Sequence, residues 1–303
     1  MWDDEQLAAA FDQIPVLSGQ REVSDLSGGL TNRNLKVVTS EGTYVARCSH
    51  HGSELLGINR DHEHHNTRAA EQAGVGAPVI DYRPDLAILV IGFIDGVTLD
   101  NGSFQQPGTI ERAAQSVRTL HEGPRFEGTF DMFERQAGYL STVMERGMKL
   151  PDDYRDHLDT FAEIERALRV KAEPLVPCNN DLLAANFVDD GEKIWLIDYE
   201  YSGMNDACFE LGNIWSECEL STDQLELLVT TYYGRPLRHK IARARLLGDV
   251  ARYGWTLWGC IQAATSPVDF DFWAWGMERY EAAVEEFRGP DLQRLLDDVQ
   301  HDD

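Results

Sequence analysis

The sequence is poor in cationic side chains, and this bounds its partners. Its 303 residues hold 27 Lys and Arg against 52 Asp and Glu, which gives a formal net charge of −25. Proteins that bind nucleic acid rely on clustered cations to neutralise the phosphate backbone. We therefore expect no nucleic-acid partner. An acidic chain suits a cationic substrate, although bulk charge does not define a site.

Cysteine is also scarce, and long apolar runs are missing. The five cysteines are odd in number and form no C-x-x-C pair, which argues against a disulfide framework or a structural zinc site. No apolar run reaches the about 18 residues of a membrane span. The start, "MWDDEQLAAAFDQIP", is acidic where a secretory signal would be basic. We expect a cytoplasmic protein that neither enters a membrane nor is exported.

The pattern of apolar residues divides the chain into two parts. Residues 1–95 read as a short helix, then strands around a single longer helix at 58–74, which ends at Gly74 as a C-cap. Residues 96–303 are mostly helical, and only "NFVDD" and "IWLIDY" read as strands there. This predicts an α+β, bilobal fold with a small antiparallel-sheet N-lobe and a larger helical C-lobe. Ligands commonly bind in the cleft between such domains.

Helical spacing predicts most of the C-lobe. The candidate helices are 108–121, 130–147, 151–170, 207–218, 222–234, 237–264 and 270–287.

The stretch "VPCNNDLLAANFVDDGEKIWLIDYEYSG" carries the strongest chemical signal. Asp181 and Asn186 are five residues apart in a loop, and Asp198 ends the apolar strand "IWLI". In protein kinases, a loop Asp meets the substrate hydroxyl, an Asn five residues later binds Mg²⁺, and a strand-end Asp also binds Mg²⁺. Mg²⁺ prefers such hard oxygen ligands. Glu200 would face the same side as Asp198 on an extended segment. A polar loop with surface acids fits this apolar context less well.

Three weaker signals lie in the first part of the chain. Gly28 and Gly29 stand between two strands, where glycine allows a close turn over phosphates. Arg47 in the third strand and Glu63 on the next helix could form the cation–glutamate pair seen in kinases. Taken singly, an ordinary hairpin turn, a surface Arg and a solvated Glu explain these residues equally well or better.

Taken together, these segments resemble the choline/ethanolamine kinases, relatives of the aminoglycoside phosphotransferases with a protein-kinase-like fold. The resemblance spans roughly residues 22 to 287, and its most specific part is the "IDYEYSG…FELGN" run. The other matching stretches are "LSGGLTNRNLKV", "YVARCS", "INRDHEHHNTRAA", "LVIGFIDG", "PCNNDLLAANF" and "YGWTLWGCIQAATSPVDFDFWAWGMERYEAAVEEF".

The resemblance implies roles for the matching residues. Asp181 would orient the substrate hydroxyl and accept its proton, and ATP and Mg²⁺ would be the cofactors. Asn186 and Asp198 would ligate Mg²⁺, with Glu200 supporting it directly or through water. The residues implied to bind the nucleotide are Gly28, Gly29, Thr31 and Asn32 in the covering loop, Arg47 braced by Glu63, and Ile91, Phe93 and Ile94 through backbone groups near the adenine.

An aromatic set would face the substrate. Trp255 and Trp258 are three residues apart and share a helix face. Aromatic faces attract a quaternary ammonium by about 0.5–2 kcal/mol for each favourable contact. The resemblance implies that Trp255, Trp258, Phe270 and Trp275 line a choline pocket and that Glu217 supplies its acid. Without the resemblance, an aromatic helical core would be the better explanation.

Two residues depart from the family's pattern. Asn179 stands where a His is usual, so we expect a looser loop and reduced turnover, and Leu183 replaces a residue that is often polar. The predicted function is transfer of the ATP γ-phosphoryl group to choline or ethanolamine. The alternatives are an aminoglycoside or other amino-alcohol or sugar phosphotransferase, and a catalytically weak, pseudokinase-like binding protein. The oligomeric state is left open.

Overall fold

A five-stranded antiparallel sheet forms the first part of the protein, which we describe from a computed structural model of residues 2–26, 29–49 and 53–302, with Ser53 and Glu54 by their backbone alone. The strand order is β1-β2-β3-β5-β4. The strands are β1 (Arg21–Asp25), β2 (Asn32–Thr39), β3 (Thr43–Ser49), β4 (Val79–Arg83) and β5 (Ile88–Gly92).

One face of this sheet is closed by the first helix, α1 (Asp4–Phe11). Leu35 and Val37 alternate along β2 and are fully buried, as the period of a half-buried strand requires. They pack with Leu7 and Phe11 of α1 in a small core. On β3, Arg47 lies between Asn34 and Leu89 of the flanking strands. The sheet therefore holds this cation in its middle strand.

The helix between β3 and β4 begins and ends as its sequence predicts. Asn59 caps α2 (Arg60–Ala73) by accepting two backbone N–H groups, and Gly74 ends it in the left-handed region at φ 82°. Its buried residues Ala69 and Ala70 pack into the second, larger core. The helix thus links the sheet to the helical part.

The second part of the chain is helical, as predicted. Its helices are α3 (Thr109–His121), α4 (Met132–Glu145), α5 (Leu158–Val170), α6 (Ala207–Glu217), α7 (Thr222–Tyr233), α8 (Arg238–Thr265), α9 (Phe272–Phe287) and α10 (Leu292–Asp298). The predicted segment 151–170 opens with a 3₁₀ turn at Tyr154–His157 before α5. The sequence reading missed α10. No helix within the described ranges is both long and apolar enough to cross a membrane.

Glycine contacts bring three of these helices unusually close. A Cβ on Gly212 of α6 would lie 2.1 Å from the carbonyl oxygen of Ala244 on α8. A Cβ on Gly259 of α8 would lie 3.0 Å from the Cα of Gly276 on α9. Only glycine lets backbones approach this closely. Helix α8 therefore contacts α6 and α9 almost backbone to backbone.

Two small sheets hold the segment that carries the candidate catalytic residues. One pairs β7 (Leu175–Cys178) with β10 (Gly203–Asp206), and the other has the order β6-β8-β9. The predicted strands "NFVDD" and "IWLIDY" correspond to β8 (Phe187–Asp189) and β9 (Ile194–Leu196), whereas β6 (Val97–Thr98), β7 and β10 were not predicted. The boundary near residue 95 remains a prediction.

Candidate active site

The loop between β7 and β8, residues 179–186, is fastened to α6. The backbone N–H groups of Asn179 and Asn180 each donate to one carboxylate oxygen of Glu210 at 3.0 Å. Leu182 donates its N–H to the side-chain oxygen of Asn213 at 2.9 Å. Both acceptors are fully buried. Burial raises the pKa of Glu210 to about 7, although the two donated N–H groups oppose that rise.

Asn179 joins this loop to the strand end that carries Asp198. Its side-chain nitrogen donates to the carbonyls of Ile197 at 3.1 Å and Asp198 at 2.8 Å. Its side-chain oxygen accepts the N–H of Asp181 at 3.1 Å. The residue is fully buried. The looser loop expected from Asn179 is therefore not supported by these contacts, because the amide's donor and acceptor are both used.

Asp181 lies at the centre of a group of carboxylates. Burial raises its pKa well above the ordinary range, and the negative charges of Asp198, Glu200 and Glu217 raise it further. Asn186 donates its side-chain N–H to the carbonyl of Asp181 at 2.7 Å, which fixes the two predicted positions against each other. The loop thus brings Asp181, Asn186 and Asp198 to one place.

Arg47 contacts three carboxylates at once. Its guanidinium nitrogens lie 2.8 Å from Glu63, 2.5 Å from Asp198 and 3.1 Å from Glu200. The contact with Glu63 is an ion pair without a well-aligned hydrogen bond, since the guanidinium is shared among three acids. The structure therefore brings the predicted Arg47–Glu63 pair together. Its role toward phosphates stays a prediction.

Asp198 has an unusual backbone. It is a non-glycine residue at φ 65°, in the left-handed region, which persists only where neighbouring contacts hold it. The bond from Asn179 to its carbonyl is such a contact. Burial raises the pKa of Asp198 even though Arg47 opposes the rise. A buried carboxylate of this kind gains from a nearby cation.

Glu200 is occupied by residues of the first lobe, and its role in metal binding, direct or through water, stays a prediction. Its oxygens accept from Thr31 at 2.7 Å and Asn32 at 2.9 Å, and Arg60 lies 3.1 Å away. Burial opposes ionisation, but the charges of Arg47 and Arg60 outweigh it and lower the pKa of Glu200. Glu200 therefore joins the two lobes here. Thr31 and Asn32 both donate to Glu200, and their predicted role over the phosphates stays a prediction.

The predicted adenine edge is only partly assembled. Ile91 lines a cavity of about 20 Å³ together with Arg47 and Leu196. The N–H of Phe93 donates to the carbonyl of Thr43 at 3.1 Å, so only its carbonyl is left for the predicted adenine contact, which stays a prediction. Ile94 follows directly and remains a prediction.

The covering loop before β2 is described only from Gly29 onward. A Cβ on Gly29 would lie 2.5 Å from the carbonyl oxygen of Asn32, so its glycine is required by the turn. The predicted Gly28 lies outside the described residues.

The donor set fits a divalent cation. Asp198 offers a carboxylate and Asn186 an amide oxygen, whose own N–H₂ is turned toward Asp181. These are hard oxygen ligands of the kind Mg²⁺ takes alongside phosphate oxygens and water. The raised pKa of Asp181 comes first from burial and then from the negative charges of Asp198, Glu200 and Glu217. A cation would offset that crowding.

The predicted aromatic residues form a connected row on α8 and α9. The ring of Trp258 lies 5.0 Å from that of Trp275, and its N–H donates to the hydroxyl of Tyr201 at 2.8 Å. Trp255 packs 5.1 Å from Tyr201. Phe270 is 42% exposed and reaches the row only through the buried Phe272, which it contacts at 4.9 Å and which lies 5.7 Å from Trp258.

Glu217 borders the same row but already has a cationic partner. Both of its carboxylate oxygens accept from the guanidinium of Arg279, one of them at 3.2 Å. The guanidinium carbon of Arg279 also lies 3.5 Å from the ring centre of Trp275. The predicted pocket acid is thus neutralised within the chain.

Sequence reasoning missed three arginines in this region. Arg60 is three residues before Glu63 and Arg279 four residues after Trp275, and both spacings place side chains on one helix face. These spacings could have indicated both residues. Arg135 lies within 6 Å of three ring centres, 4.6 Å from Phe130, 5.5 Å from Tyr201 and 5.8 Å from Tyr139. No local pattern indicates Arg135.

The fold and this site define the class of protein. Protein-kinase-like phosphotransferases pair a cation on a sheet strand with a glutamate on the next helix, as Arg47 and Glu63 do here. They also place a loop Asp and a strand-end Asp nearby, as Asp181 and Asp198 are placed here. The family profile of choline/ethanolamine kinases matches residues 23–232. The chain belongs to the choline/ethanolamine kinase family, which confirms the predicted family, fold class and class of enzyme.

Individual relatives agree with this assignment. A choline/ethanolamine kinase family protein from Mesorhizobium loti is 30% identical, covers 98% of each chain and has a TM-score of 0.87. The choline kinase LicA of Streptococcus pneumoniae is 25% identical, with 94% of this chain and 99% of LicA covered and a TM-score of 0.79. LicA has also been solved in complex with AMP, at 25% identity, 95% and 98% coverage and a TM-score of 0.74.

A sequence relative covers a smaller region. Protein LicA of Haemophilus influenzae is 28% identical over 213 residues, which are 68% of this chain and 61% of that protein. The match therefore spans less than two thirds of that relative's length.

Proposed function

We propose that this chain transfers the γ-phosphoryl group of ATP to the hydroxyl of an amino alcohol, with choline as the substrate. The observation that carries the proposal is the meeting of Asp181, Asn186 and Asp198 beside the Arg47–Glu63 pair. Phosphoryl transfer asks the protein mainly for positioning and for neutralisation of charge, and this arrangement supplies both.

Asp181 would orient the substrate hydroxyl and take up its proton. Its backbone is fixed by two contacts, the N–H on Asn179 and the carbonyl on Asn186. A backbone held this firmly would present the carboxylate at a fixed place beside the hydroxyl, and small displacements in such geometry can slow a reaction a hundredfold. The half-buried setting also strengthens the hydrogen bond from the substrate hydroxyl.

Asn186 and Asp198 would hold Mg²⁺ on the nucleotide. When bound, this ion neutralises charge on the phosphate oxygens. Glu200 would support the site by joining Thr31 and Asn32 to the second lobe and by orienting Arg47.

Arg47 would hold the phosphates, with Glu63 fixing its direction. Its guanidinium already reaches from β3 to Asp198, the point where the two lobes meet. The adenine would lie against β5 near Ile91 and the backbone of Ile94. Membership of a kinase family and the AMP complex of LicA support binding of ATP.

The aromatic row supports choline as the substrate. Trp258 and Trp275 contact each other beside Glu217, within electrostatic reach of Asp181. A trimethylammonium group has no N–H to satisfy and gains from aromatic faces, which suits such a lining.

The described cysteines are all free and buried, which supports a reducing, cytoplasmic setting.

An ATP-coupled assay with Mg²⁺ tests the proposal. Choline, ethanolamine, thiamine, glucosamine and kanamycin would be compared with the wild type and with Asp181→Asn. We expect choline turnover, and a fall in kcat of about 10³-fold in the variant, since a positioned base contributes about 10²–10⁴-fold. Asp85→Asn, at an exposed ion pair with Arg83, serves as the matched control and should change kcat less than twofold.

Three outcomes would contradict the proposal. Turnover of kanamycin or glucosamine in place of choline would favour a different phosphotransferase. Nucleotide binding without turnover of any alcohol would favour a binding protein. An Asp181→Asn variant that keeps more than a tenth of the wild-type rate would remove Asp181 from its assigned role.

A further inference from the structure

Arg279 and Glu217 form a closed ion pair between α9 and α6. Two nitrogens of the guanidinium donate to the two carboxylate oxygens, Nε to Oε1 at 3.2 Å and Nη2 to Oε2. The side chains are 17% and 5% exposed. In this bidentate pair, each carboxylate oxygen accepts a hydrogen bond from the charged guanidinium. The pair therefore neutralises the charge of Glu217 and occupies one lone pair on each of its oxygens.

The same guanidinium covers one face of Trp275. Its carbon lies 3.5 Å from the ring centre, and Nη1 donates to the carbonyl of Trp275 at 3.3 Å. These contacts follow from the four-residue spacing on α9. Trp258 approaches the same ring at 5.0 Å. A substrate cation therefore cannot use the ring face that Arg279 occupies.

The pair lies beside the candidate catalytic carboxylate. The negative charge of Glu217 and the positive charge of Arg279 both act on Asp181, with opposite sign. The thiol of Cys218, the residue after Glu217, donates to the carbonyl of Leu182, the residue after Asp181, at 3.8 Å. The pair therefore lies near the place where the acceptor alcohol would bind. An ion pair in this position is part of the substrate's surroundings.

We infer that Arg279 is a specificity-determining residue that makes the site select quaternary over primary ammonium alcohols. The inference rests on the proposed function. Arg279 neutralises Glu217 and weakens it as an acceptor, so the substrate's head group is recognised mainly by the rings of the aromatic row. A primary ammonium carries N–H donors that need acceptors, and an unsatisfied buried donor is costly. A quaternary ammonium has none, so it loses nothing.

The test separates head-group binding from catalysis. Binding of tetramethylammonium and methylammonium chloride would be measured by titration calorimetry on the full chain. In Arg279→Met, Glu217 regains its capacity to accept hydrogen bonds. We expect the ratio of the methylammonium Kd to the tetramethylammonium Kd to fall at least fivefold.

A second variant covers the case in which a lone buried carboxylate unfolds the protein. Glu217→Leu with Arg279→Met removes both charges and leaves no acceptor, so the ratio should return to the wild-type value or above it. The matched control is Arg245→Met, which breaks an ion pair with Glu286 between α8 and α9. Its ratio should equal that of the wild type.

The outcomes decide the inference independently of turnover. A ratio in Arg279→Met within twofold of the wild type would overturn it, as would a double variant with a ratio as low as that of the single variant. Relative kcat/KM for choline and ethanolamine should follow the same order. If the wild type turns over neither alcohol, the proposed function fails, while the binding ratios still decide the role of Arg279.

Discussion

The side-chain amide of Asn179 donates to the backbone carbonyl of Asp198 at 2.8 Å, and Asp198 has a left-handed backbone at φ 65°. The same nitrogen also binds the carbonyl of Ile197. One buried amide therefore holds the strand end in a conformation that a non-glycine residue adopts at a cost of about 1–3 kcal/mol. Asn179 therefore positions Asp198, the candidate metal ligand, through the backbone of Asp198.

Asn179→Asp tests this positioning role without changing the size of the side chain. A carboxylate would face the two carbonyls that the amide now binds, and it would repel Asp181 as well. We expect kcat to fall about 10²-fold, in line with a small displacement of reacting groups. Asn101→Asp, at a less buried position, is the control, and equal effects of the two variants would refute the role of Asn179.

Arg47→Lys tests whether activity depends on the planar, multidentate shape of the guanidinium as well as on its charge. Lysine keeps one charge but cannot contact Glu63, Asp198 and Glu200 in the same way. We expect kcat/KM for ATP to fall at least about tenfold, equivalent to about 1.4 kcal/mol of transition-state stabilisation.

The control for Arg47 is another paired arginine. Arg112 binds both oxygens of Asp189 at 2.6 Å on a more exposed surface. Arg112→Lys should leave kcat/KM for ATP within twofold of the wild type. A similar loss in both variants would mean that the effect of Arg47 comes from general destabilisation.

Gly212→Ala tests the close approach of α6 and α8. The added Cβ would lie 2.1 Å from the carbonyl oxygen of Ala244, so one helix must move. We expect the free energy of unfolding to fall by about 2 kcal/mol, which urea denaturation measures. Gly138→Ala on α4, where a Cβ meets nothing within 4 Å, should raise stability by about 0.5–1 kcal/mol.

The buried pair His121 and Glu210 predicts two opposite pH dependences. Burial lowers the pKa of His121 to about 3 and raises that of Glu210 to about 7. Between pH 4.5 and 6.5, folding releases a proton from the histidine and takes one up at the carboxyl, so the two effects oppose each other.

Single variants would separate the two effects. In Glu210→Gln the histidine effect remains, so stability should be full above pH 6.5 and fall as the pH drops toward 3. In His121→Asn the carboxyl effect remains, so stability should rise as the pH drops from 7 to 4.5. Urea denaturation across this range gives the slopes. Slopes of the same sign in both variants would contradict the assignment.

The sequence predicts what depends on local pattern. The bounds of α2 follow from the cap at Asn59 and the glycine at Gly74, and both are found. The spacing of Asp181, Asn186 and Asp198 brought these residues together, because a short loop and one hairpin connect them.

Contacts between residues far apart in the sequence could not be predicted in this way. Glu200 binds Thr31, 169 residues earlier, and Glu217 binds Arg279, 62 residues later. Periodicity gives the face of an element on which a residue lies, but not which residue of another element it meets. The sequence therefore does not reveal that protein cations pair with Glu200 and Glu217, whose roles toward the metal and the substrate stay predictions.

The glycine contact between α8 and α9 has a consequence for how this enzyme could acquire new acceptors. Gly259 and Gly276 hold the two backbones together beside Trp258 and Trp275. Helices α8 and α9, which carry these rings, cannot move apart without breaking the contact between Gly259 and Gly276. Acceptor range would therefore shift by exchange of individual side chains on a fixed scaffold, whereas a pocket built from loops could also be remodelled by insertions.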